Sequence, residues 1–144
     1  MKKLLVAAVL LISVASYATP PEISEKVLKA FKETFKQAKD VTWDEFDDFY
    51  AVKFTNQNID TRIRYDKEGN VVQTIRYYFE QQLPPFIQCK LKNKYGDKTV
   101  FGVTEMRTES EMSYYIILQD AKYWITIKSD ELGNMQVHEK MKKA

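Results

Sequence analysis

The chain is poor in the residues that most chemistry needs. It has a single cysteine, Cys89, so no intramolecular disulfide can form. It has a single histidine, His138, with no Ser or Cys at a recognisable nucleophile spacing, which excludes most metal sites and Ser-His or Cys-His catalysis. Only four glycines occur, and they fall at turns, a helix end and a strand bulge, so no Gly-rich phosphate loop is present. Charge of one sign is lacking too. The 144 residues carry 22 Lys and Arg against 20 Asp and Glu, and removing residues 1–18 takes away Lys2 and Lys3 but no acid, leaving 20 of each sign. A neutral chain has no electrostatic surplus for phosphate backbones or anionic lipid, which argues against nucleic acid and membrane as partners.

Long apolar runs are also missing, apart from one. Leu4 to Ala15 is an apolar block of about 12 residues, roughly 18 Å as a helix, well short of the ~30 Å hydrocarbon core of a bilayer. Lys2 and Lys3 precede it, and Ser16-Tyr17-Ala18 follows with small residues at the first and third positions. This is the order of a cleavable signal peptide over residues 1–18, cut after Ala18. No Cys follows the block to take a lipid. The expected location is periplasmic or secreted, with residues 19–144 as one domain large enough to be held by its core without staples.

What is present is a pattern that occurs twice. Residues 47–78 match residues 111–142 at a constant offset of 64, anchored on the turn Asp66-Lys67-Glu68-Gly69-Asn70 and its counterpart Asp130-Glu131-Leu132-Gly133-Asn134. Apolar positions agree in phase: Val52 with Ile116, Phe54 with Leu118, Ile63 with Ile127. In each turn Asp can accept from backbone amides and Gly can take the left-handed conformation that closes a short hairpin. A calcium loop would need acids at alternating positions and several more oxygens, so these read as hairpins. Upstream lie two helical stripes, Val27, Leu28, Phe31 and Phe35 behind an N-cap at Ser24, and Ile87, Leu91 and Tyr95 opened by Pro84 and Pro85 and ended by Gly96. The helix offset is 60, which places a small insertion near Thr108 to Met112. The expected fold is α+β: two tandem helix-plus-four-strand repeats, about 22–80 and 83–142, forming one antiparallel sheet with both helices on one face.

Alternation then sorts the strands. Tyr50, Val52, Phe54, Ile59, Ile63, Val71 and Ile75, with Tyr114, Ile116, Leu118, Ile125, Ile127, Met135 and Val137, are expected under the helices. The opposite, open face is expected to carry Phe49, Lys53, Arg62, Arg64, Thr74, Arg76 and Tyr78 from the first half and Tyr115, Ile117, Trp124, Lys128, His138 and Lys140 from the second. Tyr, Trp, Phe and Arg suit the core of a protein interface, because guanidinium stacks on aromatic rings at little desolvation cost. Phe49, Arg62, Arg64, Arg76, Tyr78, Tyr115, Trp124 and Lys128 are therefore the candidate partner-binding residues.

The signal peptide, Phe31 and Phe35 on a helix, Val41-Thr42-Trp43 opening a strand, the Asp-x-x-Gly-Asn turn and Leu83-Pro84 before a second helix together resemble the PepSY-like family of small exported bacterial proteins. That family's fold is similar to the β-lactamase inhibitor protein. The resemblance covers nearly all of the mature chain and rests on turns and core positions. It implies one antiparallel sheet with two helices on one face and an open face of the kind with which the inhibitor grips an enzyme. The inhibitor's domains contain disulfides and this chain can form none, so inhibition does not carry over with the fold.

Catalysis finds little support. The densest acidic cluster is Trp43-Asp44-Glu45-Phe46-Asp47-Asp48, but alternation turns Asp44 away from Glu45 and leaves Asp47 and Asp48 in a hairpin turn, which suits a solvated strand end better than a carboxylate pair. Cys89, mid-helix near Ile87 and Leu91, is expected to be a buried or half-buried small hydrophobe. The expectation is an exported, non-enzymatic binding module without metal or cofactor. Its expected partner is an exported or envelope protein, with inhibition or restraint of an envelope enzyme or peptidase through the open face as one form of that binding; the alternative is a small-ligand or glycan binder of the cell envelope.

Overall fold

A computed structural model of the chain describes residues 21–144; the expected signal peptide lies outside the described residues. In chain order the elements are α1 (Glu25–Thr34), β1 (Lys39–Glu45), β2 (Phe49–Asn56), β3 (Ile59–Asp66), β4 (Val71–Tyr78), α2 (Pro85–Tyr95), β5 (Thr99–Thr108), β6 (Met112–Gln119), β7 (Tyr123–Asp130) and β8 (Met135–Lys142), with a 3-10 turn at Glu80–Gln82 before α2. The eight strands form one antiparallel sheet in the order β1 to β8, so the architecture is α+β.

Each helix starts where its sequence provides for the free amides of the first turn. Ser24 Oγ accepts from the Val27 amide at 3.4 Å at the head of α1, and Pro85 opens α2, where a missing N–H costs nothing. The residue after α2, Gly96, keeps an ordinary helical φ of −66°. Its role is space: a Cβ there would meet the Lys92 carbonyl oxygen at 2.5 Å.

The apolar stripes dictate where the helices sit. Val27 and Phe31 of α1 pack on Tyr50, Val52, Phe54, Ile63 and Tyr65, with the Phe31 ring 5.0 Å from Phe54 and 5.3 Å from Trp43. Ile87 and Leu91 of α2 pack on Val103, Ile116, Leu118 and Ile127. Directly paired residues share a face of a sheet, and the ladders Tyr78–Val103, Val103–Ile116 and Ile116–Ile127 carry one face across the second group of strands. Phe54–Thr61, Thr61–Arg76, Arg76–Glu105 and Glu105–Tyr114 join that face to the first group. Both helices therefore cover the same side. Burying an Ile, Leu, Val or Phe completely is worth about 1.5–3 kcal/mol, so these stripes hold the helices down.

The two turns that anchor the sequence pattern close in the same way. Asp66 Oδ1 accepts from the Asn70 amide at 2.7 Å and Oδ2 from Asn70 Nδ2 at 2.8 Å; Asp130 does the same with Asn134 at 2.8 and 2.7 Å. Gly69 and Gly133 have φ of +93° and +76°, which other residues adopt only under strain. Between the paired Glu45 and Tyr50 lie four residues, and between the paired Glu105 and Tyr114 lie eight. The additional residues lengthen the β5–β6 hairpin, in the stretch that contains Thr108 to Met112.

Three expectations are corrected. In β4, Val71 pairs with Tyr65 but Gln73 pairs with Arg64, so Val72 is an extra residue and the strand's phase shifts by one. Beyond that bulge Thr74, Arg76 and Tyr78 turn toward the helices, and Ile75 pairs with Arg62 on the open face. In β8, Ile127 pairs with Val137 and Thr126 with Glu139, which makes His138 the extra residue and sends Lys140 to the helix side, its Nζ 4.0 Å from the centre of the Tyr123 ring. Cys89 is exposed, because it sits two residues from Ile87 and so faces nearly opposite the buried stripe.

Candidate functional site

The open face has two patches. The first is built on β2, β3 and β4. Phe49 stacks on Phe46 with ring centres 4.4 Å apart and planes at 18°, and the Arg64 guanidinium lies over Phe49 at 4.9 Å. Arg62 lies over the Tyr77 ring at 5.6 Å. Phe46 is 46% exposed and Tyr77 37%, too much apolar surface to be counted as core. Phe46, Phe49 and the two arginines border a depression of about 390 Å³ whose lining includes Asp44, Ala51, Lys53 and Ile75.

The cations of this patch share the face with acids but form no ion pair with them: Asp44 lines the same depression, and Asp60 and Asp66 flank Arg62 and Arg64 along β3. Lys53 on β2 pairs directly with Arg62 on β3, and Ala51 pairs with Arg64. Among the described residues, none of these three cationic groups has a carboxylate within ion-pair distance or a hydrogen-bond acceptor. Like charges directly opposite on neighbouring strands destabilise a sheet.

The second patch lies on β6, β7 and β8. The Tyr115 ring meets His138 edge-on at 5.3 Å, with Lys128 Nζ 5.8 Å away on the ring. Lys128 is held by Glu111 Oε1 at 2.9 Å. The Glu111 carboxyl is lowered from its ordinary pKa by the Ser113 hydroxyl, which donates to it at 2.6 Å, and by Lys128; Lys128 is raised chiefly by that bond to Glu111. Trp124 receives the Phe101 edge at 4.9 Å, and Lys143 Nζ lies 4.6 Å from the centre of its ring.

Six of the eight expected binding residues thus share the open face: Phe49, Arg62 and Arg64 in one patch, Tyr115, Trp124 and Lys128 in the other. Arg76 and Tyr78 do not belong with them, because the Val72 bulge turns both toward the helices. There the Tyr78 hydroxyl donates to Glu105 Oε2 at 2.6 Å, and Arg76 Nη1 reaches Glu105 Oε1 and Oε2 at 3.1 and 3.3 Å. Burial first, and then the Glu105 carboxylate, push the Tyr78 phenol well above its ordinary pKa. Sequence reasoning missed Phe46, Tyr77 and Phe101 on the open face. Phe46 adjoins a turn, and the other two lie on strands with bulges.

The acidic cluster is dispersed, as alternation predicts. Asp44 borders the open depression, while Glu45 points to the helix side, where it accepts from Lys67 Nζ at 3.2 Å and from the Glu22 amide at 3.0 Å. Among the described residues no group of three or more His, Cys, Asp and Glu converges as metal ligands would.

Neither a family model nor a curated protein matches the chain. Solved structures do. A BLIP-like protein from Bacteroides fragilis superposes with a TM-score of 0.63 at 15% identity, over 88% of this chain and 89% of that one. The fold is BLIP-like. A DUF2874 family protein from Bacteroides ovatus gives 0.62 at 18% identity, covering 88% of this chain and 89% of its own. A protein from Bacteroides eggerthii, named as a candidate periplasmic protein, gives 0.61 at 17%, covering 87% and 90%. At these identities the BLIP-like likeness is one of fold.

Proposed function

We propose that this chain is an exported, non-catalytic binding module that takes a protein partner on its open sheet face. The observation that carries the reading is the stacking of Arg62 and Arg64 on Tyr77 and Phe49 beside the exposed Phe46. Contact with a ring restricts each guanidinium before a partner arrives, which lowers the side-chain freedom lost in fixing it. Aromatic residues and Arg are also the residue types that dominate interface energetics. Export is supported by the charge, apolar block and small-residue order of residues 1–18 and by the periplasmic naming of the Bacteroides eggerthii structure. The tandem reading, two helix-plus-four-strand halves of PepSY-like type, is supported by the matching Asp66 and Asp130 turns. Restraint of an envelope enzyme or peptidase is one form this binding would take.

The test is affinity capture of the mature chain's partner from an envelope extract, followed by calorimetry with that partner purified. Trp124→Ala and Arg62→Ala should each weaken binding at least tenfold while Lys29→Ala, on the outer side of α1, leaves it unchanged. Equal binding by all of these proteins would remove the open face from consideration.

A further inference from the structure

We infer that the first patch is a subsite for an extended acidic peptide segment with carboxylates two residues apart, lying across Arg62 and Arg64. This deepens the binding-module reading above and rests on it.

Three observations lead there. The first is a group of like charges without ion pairs: Lys53 and Arg62 are direct cross-strand partners, Arg64 is two residues further along β3, and among the described residues none of them has a carboxylate within ion-pair distance or a hydrogen-bond acceptor; of the acids on the same face, Asp60 is bonded to Thr55 and Asp66 to Asn70, and Asp44 borders the depression. A sheet gains nothing from such an arrangement by itself, and an anion that arrives between the cations relieves it.

The second is orientation. Arg64 is drawn toward β2 by Phe49 and Arg62 toward β4 by Tyr77. A guanidinium beside a ring keeps N–H groups for carboxylates, and the two side chains lean in opposite directions, so that two separate carboxylates suit them better than one small anion. Residues i and i+2 of a strand are about 6.7 Å apart, and an extended peptide has the same repeat. Acidic residues at alternate positions of a ligand therefore match Arg62 and Arg64 in spacing as well as charge.

The third is the depression itself, about 390 Å³, with the small Ala51 side chain between Lys53 and Phe49 on β2 and an apolar border of Phe46, Phe49 and Ile75. It has room for an apolar side chain next to the acidic pair.

The experiment uses the mature chain and two labelled peptides, one containing Glu-Val-Glu-Phe and the other Gln-Val-Gln-Phe, with inorganic phosphate and a heparin tetrasaccharide as competitors. The Glu peptide should bind at least tenfold more tightly than the Gln peptide. Arg62→Ala and Arg64→Ala should each lose at least tenfold, with Arg62→Lys between Arg62→Ala and wild type because it keeps the charge but not the fork. Lys53→Gln should weaken the peptide and raise the melting temperature together, a pairing that a merely structural lysine does not produce. Equal binding of the two peptides, or tighter binding of phosphate or of the tetrasaccharide than of the Glu peptide, overturns the inference. If the captured partner is lost in Trp124→Ala but is not displaced by the Glu peptide, the acidic subsite falls and the binding module stands. If the Glu peptide binds as described while no partner depends on the face, the subsite stands and the module reading falls.

Discussion

Tyr78 donates its hydroxyl hydrogen to Glu105 across the β4–β5 ladder at 2.6 Å, on the helix side of the sheet, where both residues are almost fully buried. Arg76 completes the carboxylate's partners from a more exposed position, its side chain 38% accessible. Removing one member of a buried polar set leaves the others with unmet hydrogen bonds, which costs about 1–3 kcal/mol. Glu105→Ala should therefore destabilise by about 2 kcal/mol and Tyr78→Phe by about 1 kcal/mol, with the double variant losing less than their sum. Urea unfolding of the three variants checks this; full additivity would mean that the Tyr78–Glu105 bond contributes nothing.

The glycines separate by conformation. Gly69→Ala and Gly133→Ala force a side chain into φ of +93° and +76°, for a loss of about 1–2 kcal/mol each. Gly133→Ala also brings a Cβ to 2.8 Å from Lys90 Cδ, a flexible side chain that can move aside. Gly102 has open space around its would-be Cβ and an unexceptional φ, so Gly102→Ala should change stability by less than about 0.5 kcal/mol. Thermal unfolding of the three variants distinguishes them.

Those glycines were legible in the sequence, and so was most of the architecture. Val27, Phe31, Ile87 and Leu91 announce two helices by spacing, and the alternation of β2, β3, β6 and β7 assigns Arg62, Arg64, Tyr115, Trp124 and Lys128 to the open face. What failed was phase beyond a bulge. Val71-Val72-Gln73 looks like any strand opening, with no Gly or Pro to mark the extra residue, so Arg76 and Tyr78 were assigned to the wrong side. Glu105 could not be recognised as a buried acid either, since its partners lie on the strand whose phase had shifted. Cys89 was misjudged because proximity in sequence to Ile87 and Leu91 is not proximity on the helix surface.

Acid should weaken the fold through its turns. The carboxyls of Asp66 and Asp130 are held below the ordinary Asp pKa, first by the Asn70 and Asn134 side chains and then by backbone amides. A carboxyl whose folded pKa is depressed contributes stability that is complete above its unfolded pKa and is lost as pH falls through the folded one. Melting temperature should therefore drop as pH goes from about 5 toward 2. The Asp66→Asn, Asp130→Asn double variant should melt lower at pH 7 and show a flatter acid limb; an unchanged limb would place the acid sensitivity elsewhere.

The β2–β3 hairpin invites a stabilising change. Its two loop residues, Gln57 and Asn58, both have positive φ, 51° and 62°. That conformation favours Asn-Gly over Gln-Asn. Replacing Asn58 with Gly should add about 0.5–1 kcal/mol, measurable as a higher urea midpoint with an unchanged slope.

The order of strands also bears on how the chain comes to fold. Each strand of the sheet is hydrogen-bonded to strands that are its neighbours in sequence, and the longest connection between adjacent strands is the one through α2. Such a fold pairs each strand with the next one in the chain and so avoids closing very long loops, and shorter separations between contacting residues favour rapid folding. Under the export proposed above, a chain that leaves a translocation channel from its N-terminus would expose β1, then β2, then β3, and each newly emerged strand would find its template already outside. Assembly can thus keep pace with delivery, and besides the outer edge of β1, which stays unpaired in the finished sheet, only the growing end presents an open strand edge to neighbouring molecules.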